Sequence, residues 1–198
     1  MALGKQAKVI SPEQERAVIH YLATTRWPRR DTVIFLLSIK AGLRSIEIAS
    51  ITWNMVLDSE GKVGDCIHLE NKASKGKGGG RVIPINKDLK KALENLEKVE
   101  RVVAHKPNLT VIQSERGGSM SGRTITLWFH HLYRKLGMQG CSSHSGRRTF
   151  ISRTARKVSE VGGSLRDVQE LAGHASLAMT QRYIEGDSMA KRKLVDLV

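Results

Sequence analysis

Apolar residues recur at helical spacing over most of the chain. Ser11, Pro12 and Gln14 supply an N-cap, a proline at the first helical position and a capping-box glutamine, which predicts a helix through about Thr24. The next segment, TVIFLLSIKA, is nearly all apolar, so it predicts a helix capped by Asp31 and central to the core. Gly42 ends it, and Ser45 caps a short helix, SIEIASI. Asn86 caps a charged amphipathic helix, DLKKALENLEKVERVVA, which Pro107 stops. SERGGSMSG reads as a loop ahead of a helix from Ser121 to Leu136. Three further helices are predicted over about 144–158, 164–171 and 176–184. The tail from Asp187 to Val198 reads as a last amphipathic helix, with Leu194, Val195 and Val198 apolar.

The period changes between residues 58 and 86. DCIHLE (65–70) and RVIPI (81–85) read as two short strands, and NKASKGKGGG between them as a flexible basic loop. The three pieces predict a hairpin with a long tip. There is no internal repeat and no linker that divides the chain. The fold class expected is therefore mainly α with a small β-hairpin, as one domain over residues 1–198. Residues 1–10 are expected to be a flexible lead.

Composition narrows the partners. The chain has 198 residues, enough for one domain with a real core. Lys plus Arg total 33 against 19 Asp plus Glu, a formal net charge of +14, which favours an anionic polymer. With only three Trp, three Tyr and three Phe, base-stacking on single strands is disfavoured. Double-stranded DNA held through its phosphates fits better. The two cysteines, Cys66 and Cys141, stand in no metal spacing and point to a reducing compartment. No apolar run reaches the roughly 18 residues of a membrane span, and no signal-peptide core is visible. The expectation is an intracellular, cytoplasmic and nucleoid-associated protein, with no membrane contact.

The candidate chemistry sits in three strings: AGLRSIEI with Arg44, HSGRRTF with His144 and Arg147, and LAGHASLAMTQRY with His174 and Tyr183. A tyrosine can act as a nucleophile, and cations can hold the charge that develops on phosphate oxygens. His144 and Arg147, three apart, fall on one helical face. Arg44 follows the glycine that ends an apolar helix, and Glu47 at i+3 is placed to orient it. Lys72, Lys75 and Lys77 lie on the hairpin tip, where one could enter a DNA groove or protonate a leaving oxygen. Taken singly, each residue has a plainer reading: a wet-tipped core tyrosine, a surface histidine, a solvated basic helix face, a helix-flanking ion pair. Thr180 and Gln181, polar and just before Tyr183, read as a helix side facing a DNA backbone.

Together the strings resemble the catalytic domain of the tyrosine site-specific recombinases, the phage integrase family. AGLRSIEIASITW resembles the family's first box, SKGKGGGRVIPI its hairpin lysine segment, HSGRRTF its second box and LAGHASLAMTQRYIE its third, all in family order. The resemblance implies the fold of the DNA breaking-rejoining enzymes and a reaction needing neither metal nor other cofactor. Tyr183 would attack the scissile phosphate, giving a 3′-phosphotyrosyl bond and a 5′ hydroxyl. Arg44 and Arg147 would clamp the non-bridging oxygens, His174 would add a hydrogen bond, and His144 would assist proton transfer. Lys75 fits the general-acid position best, with Lys77 the alternative. Lys72, Lys77, Arg81, Arg148 and Arg182 are the further residues expected to contact DNA. Ser145 and Arg148 stand where the family often has Asp and His. Only about ten residues precede the first helix, so the separate DNA-clamping domain of most members is not expected here. The resemblance also implies a tetramer on two DNA sites, an accessory DNA-bending or directionality protein, and a tail helix either exchanged between protomers or folded back.

Three other readings compete. A type IB topoisomerase shares the tyrosine and clamp but exchanges no partners, and the LAGH setting favours the recombinase. A non-catalytic DNA-binding module would be expected to have lost at least one of the set. A metal-dependent nuclease is disfavoured because no Asp/Glu cluster or H-x-x-x-H spacing is present.

Overall fold

The nearly all-apolar segment forms the central helix of the computed structural model, which describes residues 6–73, 80–100, 108–183 and 195–196. This helix follows α1 (Pro12–Leu22) and is designated α2 (Pro28–Lys40). Every residue from Val33 to Ile39 is buried. Each large apolar side chain so buried contributes about 1.5–3 kcal/mol, which makes α2 the natural anchor of the fold. Its start differs from expectation. Trp27 is the N-cap and Pro28 opens the helix, while Asp31 sits one turn inside, paired with Arg30 at 2.9 Å. The proline's fixed φ and missing N–H suit the first helical position, so the helix begins three residues before the aspartate.

Helices α3 (Ser45–Ser50), α4 (Lys87–Glu100), α5 (Gly122–Lys135) and α6 (Ser145–Lys157) follow, then α7 (Leu165–Ala172) and α8 (Leu177–Gln181). α4 and α6 pack against α2 from two sides, and α5 covers α3. Asn86 caps α4 as expected, its side chain accepting the Asp88 N–H at 2.9 Å. Ser121 caps α5 through the Thr124 N–H at 3.1 Å. α3, by contrast, has Arg44 rather than Ser45 as its N-cap. The first ten residues are not all a free lead. Ile10 is buried, its N–H donates to Thr149 Oγ1 at 2.8 Å, and its carbonyl accepts from Arg153 of α6.

The hairpin is present but shorter than predicted. β1 (Cys66–Leu69) pairs antiparallel with β2 (Arg81–Pro84), in a register that sets Leu69 opposite Arg81. Ile67, Leu69 and Ile83 point into the core. A second tie escaped the pattern. The segment around Leu109–Ile112 runs beside Ile51–Trp53, joined by Trp53 N–H to Leu109 O at 3.0 Å and Val111 N–H to Ile51 O at 2.9 Å. It buries Val111 and Ile112 without forming a full strand.

Most buried apolar residues make one core around α2. A smaller cluster of Ile151, Ala155, Val168 and Ala172, with Phe150 and Tyr183 against it, joins α6 and α7 to the residue just past α8. This second cluster holds the C-terminal strings in place. The expected helix end and Pro107 (101–107), the hairpin tip (74–79) and most of the tail helix lie outside the described residues.

Candidate active site

Three consecutive carbonyls at the C-terminal end of α7 organise the site. Leu171 O accepts from Arg81 Nε at 3.1 Å, Ala172 O from Arg147 Nη2 at 2.6 Å and Gly173 O from Arg44 Nη2 at 3.3 Å. The last carbonyls of a helix lack intrahelical partners and carry the negative end of its dipole, so cations settle there. Gly173 closes the helix in the left-handed region at φ 59°. A Cβ at Gly173 would also stand 2.8 Å from Arg81 Nη1, so both backbone and packing require glycine.

Arg147, in the first turn of α6, is 4% exposed. Its other terminal nitrogen donates to Gly42 O at 2.7 Å, just past the end of α2. Burial, then the like charge of Arg44, lowers its pKa to about 10, which leaves it charged at neutral pH. Arg44 is held by Glu47, which accepts from its guanidinium at 2.9 Å and from its backbone N–H at 2.8 Å. Glu47 is fully buried. Burial alone would raise its pKa, but the hydrogen bonds and charges of Arg81 and then Arg44 win, and the net shift is downward.

His174 follows Gly173 directly and is buried. Its Nδ1 lies 3.0 Å from Thr180 Oγ1, and its ring stacks on Tyr183 with centroids 5.5 Å apart. Burial first, then Arg147, Arg44 and Arg81, hold its pKa down to about 4, so its ring is neutral at pH 7. His144, the N-cap of α6, is exposed; the protein mass around its ring and the charges of Arg147 and Arg44 lower its pKa as well. Ser142, His144, Arg147, Arg148, Arg182 and Tyr183 line one open cleft of about 390 Å³. Arg148 lays its guanidinium over the Tyr183 ring at 5.9 Å and donates to Gln6 Oε1. The cleft presents cations and a phenol to one small volume, which suits an anionic ester. Among the described residues no group of His, Cys, Asp and Glu could hold a metal ion.

The family model of the phage integrase family matches residues 8–189. The chain belongs to the phage integrase family. Tyrosine recombinase XerC of Actinobacillus pleuropneumoniae serotype 7 is 30% identical to this chain over 168 residues, covering 84% of this chain and 51% of that protein. XerC of Xylella fastidiosa (strain 9a5c) is 27% identical over 197 residues, covering 98% of this chain and 62% of that one. The chain thus spans about half to three-fifths of the length of these curated relatives. The fold is shared with solved family structures. The XerA recombinase crystal structure aligns at TM-score 0.73 and 23% identity, over 97% of this chain and 65% of that one. The Tn1549 transposon integrase, solved with a circular intermediate DNA, aligns at 0.72 and 18%, over 98% and 66%.

In this integrase-family chain Arg44, Arg147, His174 and Tyr183 meet at one place, and His144 faces the same cleft. Lys75 and Lys77 lie outside the described residues, as does the side chain of Lys72, whose backbone forms a short turn over Asn71–Ala73. Arg182 is exposed. Two side chains turn inward. Arg81, expected to contact DNA, is 12% exposed at its side chain and donates to both Glu47 oxygens at 3.0 Å. Thr180 does not face a DNA backbone; it is fully buried against His174. The Glu47–Arg81 pair was missed because the two are 34 residues apart and Arg81 adjoins a basic loop. The one available signal was its place as the first residue of a half-buried strand. Among the described residues no helix is long and apolar enough to cross a membrane.

Proposed function

We propose that this chain is the catalytic domain of a site-specific DNA recombinase that cuts and rejoins double-stranded DNA through Tyr183, without a metal. The observation that carries the reading is the stack of Tyr183 on His174 beside the buried Arg147. In the reaction, the Tyr183 hydroxyl oxygen bonds to phosphorus and the bond from phosphorus to the 5′ oxygen breaks. The phenolic proton passes toward His144, and a hairpin lysine, Lys75 with Lys77 as alternative, protonates the departing oxygen. The 5′ hydroxyl of a partner strand reverses the step, and the phosphotyrosine bond keeps the energy.

Arg44 and Arg147 bear the growing charge on the non-bridging oxygens. Both are already fixed by protein acceptors, so little reorganisation remains when the phosphate arrives. His174 Nδ1 pairs with the Thr180 hydroxyl at 3.0 Å, and in the tautomer that carries its proton on Nε2 the ring donates to a phosphate oxygen. Arg148 and Arg182, with Lys72 and Lys77, contact the backbone, as the net charge of +14 supports. Four copies on two DNA sites, aided by an accessory DNA-bending or directionality protein, complete the reading. The place of action is the nucleoid.

The test is covalent trapping in cells. DNA attached to wild type and to Tyr183→Phe is recovered after denaturation and its ends sequenced. Adducts from wild type alone, sharing one attachment sequence, are expected, and the purified protein is expected to form them in EDTA as well. Adducts from Tyr183→Phe would remove the nucleophile, scattered attachment would favour a topoisomerase, and cleavage without any adduct that EDTA abolishes would favour a metal nuclease.

A further inference from the structure

Arg81 belongs to none of the expected catalytic roles, yet all three kinds of nitrogen in its guanidinium are spoken for. Nη1 and Nη2 meet the two Glu47 oxygens at 3.0 Å, and Nε donates to Leu171 O at 3.1 Å. Those partners belong to the two elements that carry the clamp. Glu47 is the residue that grips Arg44 at both its guanidinium and its backbone N–H. Leu171 lies in the helix end whose next two carbonyls hold Arg147 and Arg44, and which leads straight into His174. Arg81 itself opens β2, paired with Leu69 of β1. One planar group therefore joins the hairpin base, the start of α3 and the end of α7.

We infer that Arg81 is a positioning residue: it fixes Glu47 and the α7 end so that Arg44, Arg147 and His174 converge on one phosphate. The inference rests on the reading of those three as the phosphate-binding set. A fully buried carboxylate with one cation could swing between partners; with Arg81 filling one side bidentately, the remaining acceptor directions are committed to Arg44. Lysine cannot do this, because a single ammonium lacks the rigid fork that spans both carboxylate oxygens and a carbonyl. The position of Gly173 fits as well, since any Cβ there would push directly on the Arg81 guanidinium.

The arrangement also has an electrostatic consequence. Burial first, then the charges of Arg147, Arg44 and last Arg81, keep the His174 ring neutral, while Tyr183 stacks on that ring and Thr180 bonds it. Charge and geometry can therefore be separated by choice of variant.

The experiment uses the full chain and reads two signals. NMR of the His174 ring is followed from pH 7 downward in the DNA-free protein. Covalent adduct formation is timed in a single turnover on a duplex carrying the attachment sequence, at a temperature where circular dichroism shows each variant folded. Arg81→Gln is expected to raise the His174 pKa and to slow adduct formation about 10²-fold, the typical cost of a misplacement near 1 Å. Arg81→Lys is expected to keep the His174 pKa near wild type and still be slow. The double variant Arg81→Met with Glu47→Met removes the pair together, a change that often leaves stability intact. Because it also removes the grip of Glu47 on Arg44, it is expected to be folded and at least as slow as Arg81→Gln. Wild-type rates in the folded Arg81→Gln or double variant would overturn the inference and leave the pair a stabilising contact only. If wild type itself forms no adduct, the recombinase reading fails, and the His174 ring signals still decide whether Arg81 positions the site: ring chemical shifts unchanged at pH 7 in folded Arg81→Gln overturn it.

Discussion

Gly146→Ala tests whether the close approach of two helices sets the position of Arg147. Gly146 lies in the first turn of α6, next to Arg147, and faces Ser38 in the middle of α2. A Cβ on Gly146 would stand 2.4 Å from Ser38 Oγ, 2.9 Å from its Cβ and 3.2 Å from its carbonyl carbon. Carbon atoms pack at about 3.5–4.0 Å, so α6 must retreat from α2 by roughly 1 Å. Overpacking of this kind costs about 1–3 kcal/mol, while the helix gains up to ~1 kcal/mol on losing a glycine. The net expectation is a loss near 1–2 kcal/mol, or about 2–4 °C in Tm per kcal/mol for a domain of this size. The retreat also draws Arg147 away from Gly42 O, now at 2.7 Å. Adduct formation should fall about 10²-fold, beyond what the lost stability explains. Ser38 Oγ has no hydrogen-bond partner among the described residues, so Ser38→Ala alone should fold normally. Added to Gly146→Ala it removes the 2.4 Å contact but not the 2.9 Å one, and should recover part of both losses. Thermal melts and single-turnover adduct assays of the four proteins read this cycle. A Gly146→Ala protein with a raised Tm and a wild-type rate would refute the coupling of helix spacing to the clamp.

Two more outcomes follow from His174. Thr180→Val keeps the shape of the buried side chain but removes its bond to Nδ1, and should slow adduct formation roughly tenfold, the cost of one buried hydrogen bond, while Thr180→Ser restores the rate. Folding holds the His174 pKa at about 4 against an ordinary 6.5, so between those values the unfolded chain binds more protons than the folded one. Stability should therefore be level above about pH 6.5 and decline toward about pH 4; His144 adds with the same sign, and Glu47 and Glu15 add below the carboxylate range. Urea melts of wild type and His174→Asn across that window check this, and equal slopes in the two proteins would count against a neutral, buried His174.

Much of the architecture was legible because it is local. Ser11-Pro12-Glu13-Gln14 caps a helix wherever it occurs, and the unbroken apolar run of α2 had nowhere to go but the core. The three strings were legible for the same reason: His144 to Arg147, and Gly173 through Tyr183, are near neighbours in the chain. What the pattern concealed is set by long-range contact. Arg81 adjoins a run of lysines and glycines, and its local setting is that of a DNA-facing cation; only the folded chain brings Glu47 to it. Thr180 looked outward by polarity, yet its place depends on His174 folding under α8. The stretch at Leu109–Ile112 makes too few paired residues to carry an alternating signature, so its burial follows from Ile51 and Trp53 rather than from itself.

The charge arrangement explains how a site so rich in arginine can be stable before DNA is present. Arg44, Arg81 and Arg147 would repel one another strongly in a dry interior. Among the described residues one full negative charge, Glu47, is placed among these arginines, and it is shared by Arg44 and Arg81. Among the described residues Arg147 has no carboxylate partner; it is held by two carbonyls, from Gly42 past the end of α2 and from Ala172 at the end of α7. Partial charges of this kind steady a cation without neutralising it. The positive potential is thus retained and directed: Arg81 is spent inward on Glu47, while Arg44 keeps 26% of its side chain exposed and Arg147 lines the cleft. A second carboxylate in place of those carbonyls would settle the arginines better and compete with the phosphate for them. The absence of such a carboxylate around Arg147, among the described residues, is what an anion-accepting site requires of its own ground state.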